Sequence, residues 1–148
     1  MSKLRVHRLL LCLTLISSAA TVGCGKAKQP WDTVYPATGV LLLEGKPLAG
    51  AQITLIPEDS EVPPSVRPTA TTEIDGSFEL GTYSKSDGAP AGSYKVLALH
   101  YPIVGSKENP SAGPNDLPKK YASQNTTDLK IEVTPDGTEP GELILRKK

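Results

Sequence analysis

Cysteine, histidine and large aromatic rings are all scarce in this chain of 148 residues. It holds two cysteines, two histidines, one tryptophan and one phenylalanine. Cys12 lies inside an apolar N-terminal stretch, so removal of that stretch leaves Cys24 alone and excludes an intrachain disulfide. His100 is the one histidine after that stretch, and a lone histidine cannot build the clustered His and Glu site of a zinc peptidase. A G-x-S-x-G elbow, an S-x-x-K pair and a glycine-rich phosphate loop are all missing. Basic charge is not in excess either. After Cys24 there are 13 Lys and Arg against 16 Asp and Glu, a balance of −3 that argues against nucleic-acid binding. In the body of the chain after Cys24 a long helix is not expected either, because no run of ten residues free of Pro and Gly carries apolar residues at helical spacing there.

The first residues do carry a pattern. Lys3, Arg5 and Arg8 precede a 12-residue apolar run, Leu9 to Ala20, too short to span a bilayer, which takes about 20 residues. Thr21-Val22-Gly23-Cys24 follows and resembles the bacterial lipobox, with Thr21 standing where leucine is usual. The expectation is a signal peptide over residues 1–23 and a lipidated N-terminus with tether over residues 24–37. Lipid on Cys24 would anchor the chain to the cell membrane, and Gly25 resembles the outer-membrane sorting pattern. Two or more acyl chains hold stably, and a tether of about nine residues reaches roughly 30 Å.

From residue 38 to residue 148 the apolar residues come in short blocks closed by turn residues, as strands do. Gly39 to Glu44, Ala51 to Pro57, Thr69 to Ile74, Ser77 to Leu80, Ser93 to Tyr101, the alternation Leu129, Ile131, Val133, and Glu142 to Arg146 read as seven strands. Gly45 and Gly50 bracket a turn that Pro47 stiffens, and Asp75-Gly76 suits a type I′ turn joining Thr69–Ile74 to Ser77–Leu80. Ser93 to Tyr101 is apolar on both faces, so it belongs at the centre. Pro102 to Pro118 reads as irregular, with one helical turn near Leu117 to Tyr121. Phe78 and Tyr94 are candidate core aromatics. These elements predict an all-β, seven-stranded, two-sheet Greek-key sandwich in one domain.

Three segments carry a family resemblance: Gly39 to Leu55, Thr71 to Leu80, and Pro90 to Val96 (P-A-G-S-Y-K-V). They resemble the carboxypeptidase regulatory-like, or transthyretin-like (prealbumin-type), β-sandwich, and Leu117 to Val133 is similar to small bacterial lipoproteins of this group. The resemblance implies a non-catalytic appendage or binding domain. The transthyretin-like hydrolases of purine catabolism keep several histidines and a C-terminal motif that this chain lacks, so their activity is not implied.

The reading that follows is an envelope-anchored, non-catalytic module that binds an envelope protein or a polysaccharide and needs no cofactor or metal. Tyr83, Tyr101 and Tyr121, with Trp31 and Tyr35, are the rings that would stack on sugars. The acidic groups Glu58-Asp59-Glu61 and the pair Asp75 and Asp87 lack calcium-loop spacing. Two alternatives stand beside this reading, a self-assembling spacer and a small hydrolase using His100. Residues 30–148 are expected to fold alone as a soluble, β-rich domain. A circular dichroism spectrum dominated by helix would end that expectation.

Overall fold

The structure, a computed structural model, describes residues 27–58, 61–138 and 141–147. The segment expected to be a signal peptide, residues 1–23, lies outside the described residues, as do Cys24, Asp59 and Lys148.

Ten strands run through the described residues: β1 Thr38–Leu43, β2 Lys46–Pro47, β3 Gln52–Pro57, β4 Thr69–Thr71, β5 Ser77–Glu79, β6 Gly92–Leu99, β7 Ile103–Ser106, β8 Asn109–Ala112, β9 Lys130–Val133 and β10 Gly141–Leu145. Two short 3-10 turns accompany them, Pro30–Asp32 and Lys119–Ala122. The second is the helical turn expected near Leu117 to Tyr121. In one sheet β1 is flanked by parallel β10 on one side and by β5 and β2 in succession on the other. The second sheet has the order β4-β3-β6-β9, all antiparallel. The chain is therefore an all-β sandwich, with more strands than the seven expected.

The core forms where alternate residues of the two sheets meet. Leu41, Leu143 and Leu145 come from one sheet and Ile53, Leu55, Tyr94, Val96, Ala98 and Val133 from the other. Phe78 and Tyr94 are both buried, as expected. Strand β6 is central, between β3 and β9. Its residues Tyr94, Val96 and Ala98 enter the core, while Leu97 and Leu99 are half-buried on the other face. Tyr94 makes a tyrosine corner, its hydroxyl donating to the Pro90 carbonyl four residues upstream (2.8 Å). That device marks the corner of Greek-key sandwiches.

Three sequence expectations are corrected. First, the type I′ conformation lies at Glu44-Gly45, where both residues have positive φ (52° and 78°) between the paired Leu43 and Lys46. At Asp75-Gly76 only Gly76 has positive φ (78°). Asp75 stays on the ordinary side because its carboxylate accepts both the N–H and the hydroxyl of Ser77. Glu73 N–H donates to Ser77 O and Gly76 N–H to Glu73 O, giving a three-residue loop. A Cβ on Gly76 would stand 2.6 Å from the Leu41 carbonyl oxygen. Second, Thr69–Ile74 and Ser77–Leu80 meet only at their two ends, through Glu73 N–H to Ser77 O and the two bonds between Thr69 and Gly81; between these β4 pairs with β3 and β5 with β1 instead of with each other. The chain crosses between sheets at this turn. Third, Pro102 to Pro118 is not irregular throughout. It contains the exposed hairpin β7–β8, in which Ile103 pairs with Ala112 and Ser106 with Asn109.

The packed body also starts before Thr38. Ala37 is in the core, and Tyr35 exchanges two backbone hydrogen bonds with Ala89.

Thr72, next to β4, ties that strand to the turn between β2 and β3, Leu48 to Ala51. Its buried hydroxyl donates to Leu48 O (2.6 Å) and accepts Ala51 N–H (2.9 Å). Thr72→Val keeps the shape but strands the buried Ala51 N–H and the part-buried Leu48 carbonyl, so it should cost about 2 kcal/mol in denaturant unfolding. A cost below the measurement error would show that this hydroxyl carries no such duty.

Candidate functional site

Crossing from β4 to β5 carries the chain away from the open edge of one sheet and onto the other, and leaves a recess beside both. The recess is a groove of about 980 Å³, lined by β3, β4, β5 and the loop Gly81 to Ser86. Its polar wall follows from strand periodicity. Ile53 turns into the core, so Gln52 and Thr54 turn outward, where they pair across β3–β4 with Thr71 and Thr69. Phe78 is likewise buried, which sends Ser77 and Glu79 to the groove side of β5. Glu73, Thr82, Tyr83, Ser84, Lys85 and Ser86 complete it. These residues supply two carboxylates and one ammonium group, and the rest of the polar lining is hydroxyl and amide.

The loop that forms the far wall is held from within. Asp87 accepts the backbone N–H groups of Thr82 (2.7 Å), Tyr83 (3.2 Å) and Ser84 (2.9 Å), and the Thr82 hydroxyl donates to Gly88 O (2.7 Å). Gly81 and Thr69 exchange two backbone hydrogen bonds that fasten the loop to β4. Asp87, which the sequence marks only as an acid without calcium-loop spacing, is thus the organiser of this wall. The Asp-Gly step at 87–88, like that at 75–76, was the available signal.

Tyr83 stands in this wall with 54% of its surface exposed. Its hydroxyl donates to Trp31 O at 2.8 Å. Partial burial, followed by the negative charges of Asp32 and Asp87, raises the phenol above its ordinary pKa and keeps it protonated.

The three tyrosines named from sequence do not share a surface. Tyr83 lines the groove; Tyr101 is exposed but lies in the segment leading to β7 and does not line it. Tyr121 is a correction, a core residue with 1% exposure. Its hydroxyl accepts Arg146 N–H (2.8 Å) and donates to Arg146 O (3.4 Å), while the Lys120 ammonium sits 4.6 Å from its ring centre. Alternation alone could not separate a ring that plugs the sandwich from one that faces water. Of the turn residues, Gly45, Gly50, Asp75 and Gly76 stand in turns, whereas Pro47 is a correction: it is paired opposite Leu42 in strand β2, between two separate turns.

His100 is outside the groove. Its Nδ1 lies 2.8 Å from Asp116 Oδ1, its N–H donates to Asn115 Oδ1, and Asp116 N–H returns to His100 O. These bonds close the base of the excursion that carries β7 and β8. Asp75 and Asp87 each spend their carboxylates on their own loops.

No family model matches the chain. No curated protein matches it either. Among solved structures, a 9R-lipoxygenase from Cyanothece is similar with a TM-score of 0.43 and 17% identity, over 95% of this chain and 20% of that one. A protein from Pseudomonas aeruginosa described as a "putative carbohydrate binding protein" is similar with a TM-score of 0.40 and 17% identity, over 81% of this chain and 92% of that one. The chain thus spans about a fifth of the lipoxygenase.

The groove rim at Glu73 to Ser77 depends on one titrating group. The hydroxyl and then the N–H of Ser77 hold the Asp75 carboxyl below its usual pKa. A lowered folded pKa contributes stability above the ordinary carboxylate value of about 4, and that contribution is lost as pH falls through the folded value. The stability gap between the wild type and Asp75→Ala should therefore be full at neutral pH and close below about pH 4. A gap that stays constant in urea titrations down to about pH 2 would rule this out.

Proposed function

We propose that this protein is an exported lipoprotein, anchored through Cys24, whose β-sandwich binds a polysaccharide in the β4–β5 groove without catalysing a reaction. The observation that carries the reading is the groove's lining. It combines a half-exposed tyrosine ring with a row of hydroxyls and one amide on rigid strands, the mixture that hexoses meet by stacking and hydrogen bonding. Glu73 and Glu79 against Lys85 make acidic polymers poor ligands and favour neutral or amine-bearing chains. The resemblance of Gly39–Leu55, Thr71–Leu80 and Pro90–Val96 to transthyretin-like binding modules, and of residues 21–24 to a lipobox, supports the same reading. Polar groups outweigh the apolar Ile53, Ala70 and Phe78 in the groove's walls, which supports a polysaccharide more than an envelope protein as ligand.

Affinity electrophoresis against dextran, chitosan oligosaccharide and alginate tests it. The expected result is retardation by dextran or chitosan oligosaccharide and not by alginate. Tyr83→Ala should weaken that binding about tenfold, the worth of one aromatic stack. Cys24→Ser should move the protein from the membrane fraction to the soluble fraction. A wild-type chain that none of the three retards overturns the ligand class.

A further inference from the structure

An exposed tyrosine hydroxyl needs no protein partner, because water serves it as well. Tyr83 nevertheless bonds a main-chain carbonyl 52 residues earlier in the sequence, at Trp31. The segment that supplies this carbonyl is not a loose lead-in. It begins in the 3-10 turn Pro30–Asp32, where Gln29 N–H donates to Asp32 Oδ2 (2.8 Å) and Asp32 N–H to Gln29 O (3.0 Å). Two bonds between Tyr35 and Ala89 follow (2.8 and 3.0 Å), then Thr138 N–H to Pro36 O (3.0 Å) and Leu80 N–H to Ala37 O (2.9 Å). The approach is close enough at Gly88, whose φ is +98°, that a Cβ there would collide with the Tyr35 carbonyl. Leu80, Gly88 and Ala89 flank both ends of the loop that carries Tyr83.

We infer that Pro30 to Ala37 is a strap belonging to the binding site: by fixing the ends of the Gly81 to Ala89 loop and the hydroxyl of Tyr83, it holds the ring in its ligand-receiving position. This rests on the polysaccharide reading of the groove and adds its control. A ring already held in place loses less rotational freedom on binding. The coupling is reciprocal, so an occupied groove also holds the strap down. The strap lies between the proposed anchor at Cys24 and the sandwich, and tension or displacement there reaches the ligand through Tyr83. Burial together with the charges of Asp32 and Asp87 favours the protonated phenol that this bond requires.

The test uses the full chain in three forms: wild type, Tyr83→Phe, and a variant in which residues 29–34 are replaced by Gly and Ser at equal length. Amide hydrogen exchange is read at residues 82–89, and binding is read against dextran and chitosan oligosaccharide. The strap variant is expected to exchange faster across the loop and to bind about fivefold more weakly, with its thermal midpoint nearly unchanged. Tyr83→Phe keeps the ring and loses the bond, and should weaken binding about threefold to fivefold. Unchanged loop exchange in the strap variant overturns the inference. So does faster exchange with unchanged affinity. A wild-type chain that binds neither glycan, while its strap variant still loosens the loop, overturns the polysaccharide reading alone and upholds the seating of Tyr83.

Discussion

The hydrogen bond from the Tyr94 hydroxyl to the Pro90 carbonyl is the constraint from which the sandwich is assembled. A buried phenol without a partner costs on the order of 1–3 kcal/mol, so the ring enters the core only if the preceding chain bends to meet it. Pro90 fixes part of that bend and Gly92 completes it. The result delivers β6 to the middle of its sheet, where Tyr94 stands opposite both Pro57 of β3 and Ile131 of β9. Once β6 is placed, the pairing of β3 and β9 follows by register, and with it the side of each strand that faces inward.

A chain with one phenylalanine and few large aliphatics has little apolar area to bury, and it compensates by tying polar side chains into the backbone at the margins of the core. Thr72 fastens a turn to β4, and Thr127 donates to Val96 O while accepting Leu129 N–H. Tyr121 closes the other side, its hydroxyl bonded to both backbone groups of Arg146. Each of these exchanges a water-satisfied polar group for a fixed one, so the gain is in uniqueness of packing more than in gross stability. Among the described residues no buried side-chain polar atom is left without a partner.

Strands with period-two alternation were legible in the sequence because burial of one face is what writes that period. Ile53 and Leu55 against Gln52 and Thr54, or Leu129 and Val133 against Lys130 and Glu132, leave no other register open. The β7–β8 hairpin was not legible, since all eight of its residues are exposed and no core selects their spacing. Pro110 and Gly105 add the marks of a loop. The Asp75-Gly76 turn was found but mistyped. Dipeptide preference gives the glycine its positive φ and cannot anticipate that Asp75 would be held on the other side by Ser77. The groove was half legible. The outward faces of β3 and β4 could be read from alternation, whereas Asp87 and the Trp31 carbonyl act through loops whose approach depends on the assembled fold.

The groove is a consequence of topology. Had β4 and β5 formed the expected hairpin, Thr69 to Thr71 would have been covered by Ser77 to Glu79 and their outward hydroxyls would flank one continuous sheet. Because the chain changes sheets at Glu73 to Ser77, β4 keeps an edge on which Gly81 makes a single bridge, and the space beyond that bridge stays open. An open edge invites pairing with another strand. Here the loop from Gly81 to Ser86 walls it, and that loop owes its rigidity to Asp87 within and to Tyr35 and Trp31 behind. The same residues that guard the edge against another backbone therefore shape the polar recess, which is why the strap, the loop and the groove form one unit.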